Sequence, residues 1–264
     1  MTAPDLRWNE LLDLAADLGC VGVEFRNDLT SPLFDGDAPQ AVAEHSRKLG
    51  LRIVGLGQIY PFNSWSADIR KDVAALIRTA VECGAETISL IPRNDGTGLG
   101  NGERQANLQL AMREIKPMLE DAGLVALIEP LGFFTSSLRH KEEAVEIIEA
   151  LDATASFRLV HDTFHHHLAG DGAIFPEHTG IIHISGVTDP QPGVHEMCDE
   201  HRVLVDANDR LDSIGQLRAF VRAGFAGPIS FEAFSPEVHA CADLKTELSK
   251  SIRFIESSLA AAAA

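Results

Sequence analysis

The phrase L-G-C-V-G-V at residues 18–23 decides the fold, because close variants of it return three times along the chain. The variants are L-G-L-R-I-V (49–54), C-G-A-E-T-I (83–88) and A-G-L-V-A-L (122–127). In each, a glycine leads into a short run of β-prone residues, which a loop and an amphipathic helix then follow. The repetition predicts one βα unit repeated around a ring, with a parallel sheet.

Seven strands and eight helices can be placed in this way. The predicted strands span residues 21–26, 52–57, 87–92, 125–130, 158–162, 181–185 and 229–234. The predicted helices span residues 8–18, 38–49, 67–83, 103–122, 140–151, 172–178, 214–223 and 240–259. A (β/α)8 TIM barrel in one domain over residues 1–264 is the economical interpretation.

The count of strands is one short of a complete barrel, and the strand that is missing is the first. We therefore expect that the sequence begins just after that strand and that its opening M-T-A-P belongs to the first βα loop. The alternative is a ring that closes imperfectly with seven strands.

The composition excludes several classes of protein. The chain has 39 acidic and 22 basic residues, a formal charge of −17, and such a surface repels nucleic acids and anionic lipids. Its four cysteines form no C-x-x-C pair, which favours a reduced, cytoplasmic protein over a disulfide scaffold. Neither a long apolar run nor a charged leader is present, so we expect no membrane span and no secretion.

Polar residues stand at the carboxyl ends of the predicted strands, where the active site of a TIM barrel lies. They are Glu24, Arg26, Gln58, Arg93, Glu129, Asp162 with the nearby His165, His183 and Glu232. Three carboxylates and a histidine from this set would converge at the barrel mouth. Such oxygen and nitrogen ligands without a thiolate suit one divalent ion, namely Mn²⁺, Mg²⁺, Co²⁺ or Zn²⁺.

Each of these residues also has a simpler explanation. Glu129 and Glu232 lie in apolar runs, where a structural ion pair could satisfy them. Asp162 could cap a helix, and His183 could be a hydrogen-bonded core residue. Arg202 follows in D-E-H-R-V (199–203), within reach of a substrate oxygen, although a surface ion pair would also explain it.

Five segments resemble the xylose-isomerase-like TIM-barrel superfamily of sugar isomerases and epimerases, and among its members most closely the 2-keto-myo-inositol (inosose) isomerases. These segments are A-L-I-E-P-L-G (126–132), L-V-H-D-T-F-H-H-H-L-A-G (159–170), I-I-H-I-S-G (181–186), D-E-H-R-V (199–203) and I-S-F-E-A-F-S-P-E (229–237). The sequence departs from the family pattern at L-V-D-A-N-D (204–209), where relatives have a P-G-x-G turn.

The resemblance implies a metal-dependent isomerase of inositol catabolism. It places the metal ligands at Glu129, Asp162, His183 and Glu232. It makes Glu129 and Glu232 the acid-base pair that moves a proton through an enediolate, and it makes His165 and Arg202 the residues that bind the substrate. It also implies a small polyol or ketose as substrate and a homodimer or homotetramer.

Other activities on the same barrel stay open. Inosose and dehydroshikimate dehydratases share the metal set, but inosose dehydratases often carry H-x-K-D where this chain has H-I-S-G (183–186). A ketose 3-epimerase or hydroxypyruvate isomerase would use the same residues. A DNA-repair endonuclease would need further metal ligands and a basic face, and a non-catalytic binding protein would have lost the ligand set.

Overall fold

The computed structural model describes residues 1–260, which form one curved sheet of seven parallel strands. Each strand pairs with the next one along the chain, as in a barrel. The strands are β1 (Gly22–Arg26), β2 (Arg52–Ile59), β3 (Thr87–Leu90), β4 (Val125–Ile128), β5 (Phe157–Asp162), β6 (Thr179–Ile184) and β7 (Ile229–Phe231).

The ring is open between β7 and β1, because within residues 1–260 no strand pairs with either outer edge. The prediction of a TIM barrel that lacks one strand is thereby confirmed. A cavity of about 560 Å³ lies at this opening, and its apolar lining includes Leu14, Val23 and Ile255. Residues 1–6 run beside it, and Thr2 Oγ1 accepts a hydrogen bond from the backbone N–H of Ala233.

Helices cover the outside of the sheet. In the described residues they are α1 (Trp8–Asp17), α2 (Pro39–Leu49), α3 (Ala67–Cys83), α4 (Glu103–Ala122), α5 (Lys141–Ala150), α6 (Thr163–Ala169), α7 (Ser213–Arg222), α8 (Pro236–His239) and α9 (Leu244–Ala260). None of them is long and apolar enough to cross a membrane.

One predicted helix is wrong. Residues 172–175 have no regular structure and residues 176–178 form a turn, in which the backbone N–H groups of His178 and Thr179 donate to carbonyls three positions back. Pro176 lacks the backbone N–H that a helix would use. The helix of this βα unit is instead α6, which begins directly after β5. The predicted last helix, residues 240–259, corresponds to α9, which begins four residues later at Leu244, and the short α8 before it was not predicted.

The alternation of side chains along each strand positions the site. Facing inward, three residues from β4 to β6 form a small apolar cluster: Leu127, Val160 and Ile181. Successive side chains of a strand point to opposite faces, so the next inward position is two residues further on. Those positions hold Glu129, Asp162 and His183, and a polar layer therefore lies above the apolar layer at the carboxyl ends of the strands.

Candidate metal centre

Four buried side chains from four consecutive strand ends meet at one point. Asp162 is the last residue of β5, and His183 is its partner in the β5–β6 register. Glu129 and Glu232 each lie one residue beyond a strand, but their backbone N–H groups still donate to Leu90 and Ile184 of the preceding strands. One ligand atom from each of the four lies within 4.8 Å of the others.

The imidazole of His183 presents a different nitrogen to each side of the site. Its Nδ1 lies 3.3 Å from Glu232 Oε2 and 3.9 Å from Glu129 Oε1, yet it is buried and has no hydrogen-bond partner among the described residues. Its Nε2 lies 3.1 Å from Glu24 Oε2. The ring therefore directs Nδ1, which has no hydrogen bond, toward the carboxylates of Glu129 and Glu232.

Arg202 lies inside the site, with only 1% of its surface exposed. Its Nη2 donates to Asp162 Oδ2 at 2.5 Å and to Glu232 Oε2 at 2.9 Å. Its Nε donates to Ser185 Oγ, and its guanidinium lies over the ring of Phe234. Arg202 is thus buried and not at the surface, and it is the counter-charge of three carboxylates, those of Asp162, Glu232 and the more exposed Asp199. Its contact with a substrate stays a prediction.

Asp162 has two partners of different kinds. Its Oδ1 accepts from the backbone N–H of His165 and so caps α6, which is the simpler role that the sequence left open. Its Oδ2 accepts from Arg202. Burial raises the pKa of this carboxyl to about 6, although Arg202 opposes the shift.

His165 stands at the edge of the site on α6, between the rings of Phe133 and Phe164. Its Nε2 lies 3.9 Å from Glu129 Oε1, and its Nδ1 is buried without a partner in the described chain. Burial and the nearby charge of Arg202 lower its pKa to about 4. A neutral imidazole has one donor and one acceptor nitrogen, which suits contact with a substrate hydroxyl or carbonyl.

Arg26 lies at a predicted strand end, but the sequence alone assigned it no role. Arg26 Nη1 donates to Glu232 Oε1 at 2.9 Å, and its other nitrogens hold Asp28 in a two-point contact. Its Nη2 also reaches Gln58. The signal that could have found it is spacing, because Arg26 lies two residues beyond Glu24 on β1 and shares its inward face.

Neighbouring charges keep Glu232 and His183 ionised despite their burial. Burial favours the neutral form of Glu232, but His183 and Arg202 outweigh this and hold its pKa well below the usual range. Burial likewise lowers the pKa of His183, but Glu24 and Glu232 outweigh it and raise the value well above normal. Glu232 is therefore ionised in the site, and the ionised form is the one that can bind a cation.

The residues fit a divalent ion. Three carboxylates and one imidazole supply a hard oxygen and nitrogen set, and the free Nδ1 of His183 points to where a cation would satisfy it. Both oxygens of Asp162 and of Glu232 already accept a hydrogen bond, but a carboxylate oxygen has a second lone pair that can bind a cation. The residues that would hold the ion are Glu129, Asp162, His183 and Glu232, and their role as ligands stays a prediction.

A family model and a solved structure both match nearly the whole chain. A family model described as a xylose isomerase-like TIM barrel matches residues 12–258. A xylose isomerase domain containing protein from Salmonella typhimurium LT2 is 30% identical over 98% of this chain and 94% of its own, with a TM-score of 0.88. No curated protein sequence matches.

Two more distant solved structures share the fold. The IolI protein with a bound zinc atom is 20% identical over 94% of this chain and 91% of its own, with a TM-score of 0.81. D-psicose 3-epimerase from Clostridium cellulolyticum H10 is 17% identical over 97% and 94%, with a TM-score of 0.74. With the family model covering nearly the whole barrel, the chain belongs to the xylose isomerase-like TIM barrel family.

Proposed function

We propose that the chain is a metal-dependent isomerase that interconverts α-hydroxyketones by proton transfer through an enediolate, with 2-keto-myo-inositol converted to 1-keto-D-chiro-inositol. The observation that carries the proposal is the convergence of Glu129 and Glu232, from β4 and β7, on the same point as Asp162 and His183. The substrate class is supported by relatives of the same fold, one named IolI and one an epimerase of a ketose.

A divalent ion, when bound, would act as a Lewis acid toward the carbonyl and hydroxyl oxygens of the substrate. The difficult step is removal of a proton from the carbon beside the carbonyl. Glu129 and Glu232 flank the site and would take that proton and return one to the neighbouring carbon.

The remaining groups would bind the oxygen that changes between hydroxyl and carbonyl. His165 is neutral and has a buried nitrogen without a partner, so it can donate to or accept from that oxygen. Arg202 keeps a positive charge buried within the site, where it would stabilise the negative charge that develops on that oxygen in the transition state. The aromatic rings of Phe133 and Phe164 limit the access of water to His165.

The test is incubation of the purified protein, loaded with Mn²⁺, with 2-keto-myo-inositol. An isomerase gives an isomeric ketone of unchanged mass. A dehydratase gives a product that has lost water and gained ultraviolet absorbance, and that result would replace the proposal with the lyase. A parallel reaction with a free ketose tests the epimerase reading, and conversion of that ketose alone would overturn the proposed substrate.

A further inference from the structure

Glu24 contacts His183 of the candidate metal centre, although the strands that carry the two residues do not pair with each other. It lies on β1, and its carboxylate oxygens are 3.1 Å and 3.3 Å from Nε2 of His183 on β6. The sheet order separates these strands by β7 and the open gap. The contact therefore crosses the barrel interior and does not follow from strand pairing.

The barrel has room for this carboxylate because of a glycine. Glu24 pairs with Gly55 in the β1–β2 register. A Cβ at Gly55 would lie 3.0 Å from Glu24 Oε1 and 3.2 Å from Thr87 Oγ1, closer than side chains normally approach. Glycine at this position thus lets the Glu24 side chain lie flat against β2 and extend toward His183.

The contact decides which nitrogen of the imidazole is available. An ionised carboxylate is only an acceptor, so the proton of a neutral His183 ring resides on Nε2. The lone pair is then on Nδ1, which is the nitrogen that faces Glu129 and Glu232 without a hydrogen bond. Carboxylates that accept from the far nitrogen of a metal-bound histidine orient the ring and increase its basicity.

We propose that Glu24 is a positioning residue, whose carboxylate accepts from Nε2–H of His183 and so directs the Nδ1 lone pair at the metal. The inference rests on the proposed metal site and goes beyond it, because Glu24 itself is not a ligand. It assigns a function to the partly buried acid of β1, which the acid-base chemistry does not use.

The test compares the affinity of the metal-free protein for Zn²⁺ alone, measured by chelator competition, in the wild type and in Glu24→Gln. The amide keeps the volume but loses the charge, and its NH₂ can donate to Nε2 and favour the wrong tautomer. We expect zinc to bind about 10- to 100-fold more weakly. Glu86→Gln is the matched control, since Glu86 pairs with Arg52 at the surface, and its affinity should stay within about twofold of the wild type.

Each outcome decides a different claim. Equal affinity in the wild type and Glu24→Gln would overturn the inference and leave the metal site standing. A wild type without zinc affinity would overturn the proposed site and the inference with it. Should Glu24→Gln fail to fold in chelator, Gly55→Ala displaces the same carboxylate without changing an ionisable group, and several-fold weaker binding is expected.

A spectroscopic readout separates positioning from a merely structural role. In the zinc-loaded wild type, ¹⁵N spectra of the His183 ring should show the metal on Nδ1 and the proton on Nε2. Metal on Nε2 would contradict the proposal, because Glu24 would then face a nitrogen without a proton.

Discussion

Glu129 and Glu232 occupy equivalent places after their strands, but their surroundings differ. Glu232 contacts Arg26, Arg202 and His183 at 2.9 to 3.3 Å. The nearest charged or titratable contacts of Glu129 are the two histidines of the site, both at 3.9 Å. Glu232 therefore stabilises the site electrostatically in addition to its proposed chemistry, whereas Glu129 is held mainly by its backbone and its burial.

Because their surroundings differ, Glu129→Gln and Glu232→Gln should have different effects on the stability of the protein. Both should keep the fold and lose isomerase turnover by about 10² to 10⁴, the usual contribution of a general acid or base. Glu232→Gln should also lower the free energy of unfolding of the metal-free protein, on the order of 3 kcal/mol, because it removes a charged partner of the buried Arg202 and of the partly buried Arg26. Urea unfolding in chelator measures this, and near-normal turnover in either variant would remove that residue from the mechanism.

The convergence of the candidate ligands could be predicted from the sequence because polar side chains at strand ends are a local pattern. Glu129, Asp162 and His183 each follow an inward apolar residue by two positions, and that spacing is visible without a structure. The contact between Glu24 and His183 could not be predicted in this way. It joins residues 159 positions apart and depends on how strongly the sheet curves.

At the scale of elements, α6 is the part of the barrel that sequence patterns described least well. It has seven residues and carries three consecutive histidines, so its apolar period is too short to recognise. A local cap and a tertiary contact stabilise it: Asp162 caps its start, and Gly132 lies so close that a Cβ there would be 2.2 Å from the carbonyl oxygen of His165. These contacts also position His165 toward the site.

A buried pair links α6 to α5. Lys141 Nζ lies 2.8 Å from His166 Nδ1, and burial lowers the pKa of Lys141 to about 8. Burial and the lysine charge together lower the pKa of His166 to about 3. Both groups bind protons more weakly in the folded chain than in the unfolded chain.

The pair predicts a pH dependence with a definite sign. Between pH 8 and 10.5, the ordinary pKa of a lysine, the unfolded chain binds more protons than the folded one, so stability rises with pH. Lys141 contributes at most about 1.4 kcal/mol per pH unit to this slope. Lys141→Met should flatten the slope in urea unfolding at pH 8 to 10, whereas the exposed Lys48→Met should not. An unchanged slope in Lys141→Met would show that the lysine titrates normally.

The whole molecule combines a strongly acidic chain with a barrel that is open on one side. The formal charge of −17 and the buried carboxylates at the mouth both favour a cation at the site. The gap between β7 and β1 places the apolar cavity beside Glu24 and Glu232, so the centre lies next to the least closed part of the sheet.

Metal binding should therefore stabilise the entire fold. At a free metal concentration about 100 times the dissociation constant, a ligand that binds only the folded state adds about 2.7 kcal/mol. For a domain of this size we expect the melting temperature to rise by about 5–10 °C. Scanning calorimetry with Mn²⁺ and with chelator measures the rise, and His183→Ala is the control in which it should vanish. An equal rise in that variant would mean that the ion binds elsewhere.

The most direct test of the central claim is anomalous diffraction from crystals of the wild-type protein soaked with Mn²⁺ and recorded above the manganese absorption edge. The account predicts one strong peak enclosed by the carboxylates of Glu129, Asp162 and Glu232 and by Nδ1 of His183. A fully soaked crystal with no peak among these four side chains would contradict it.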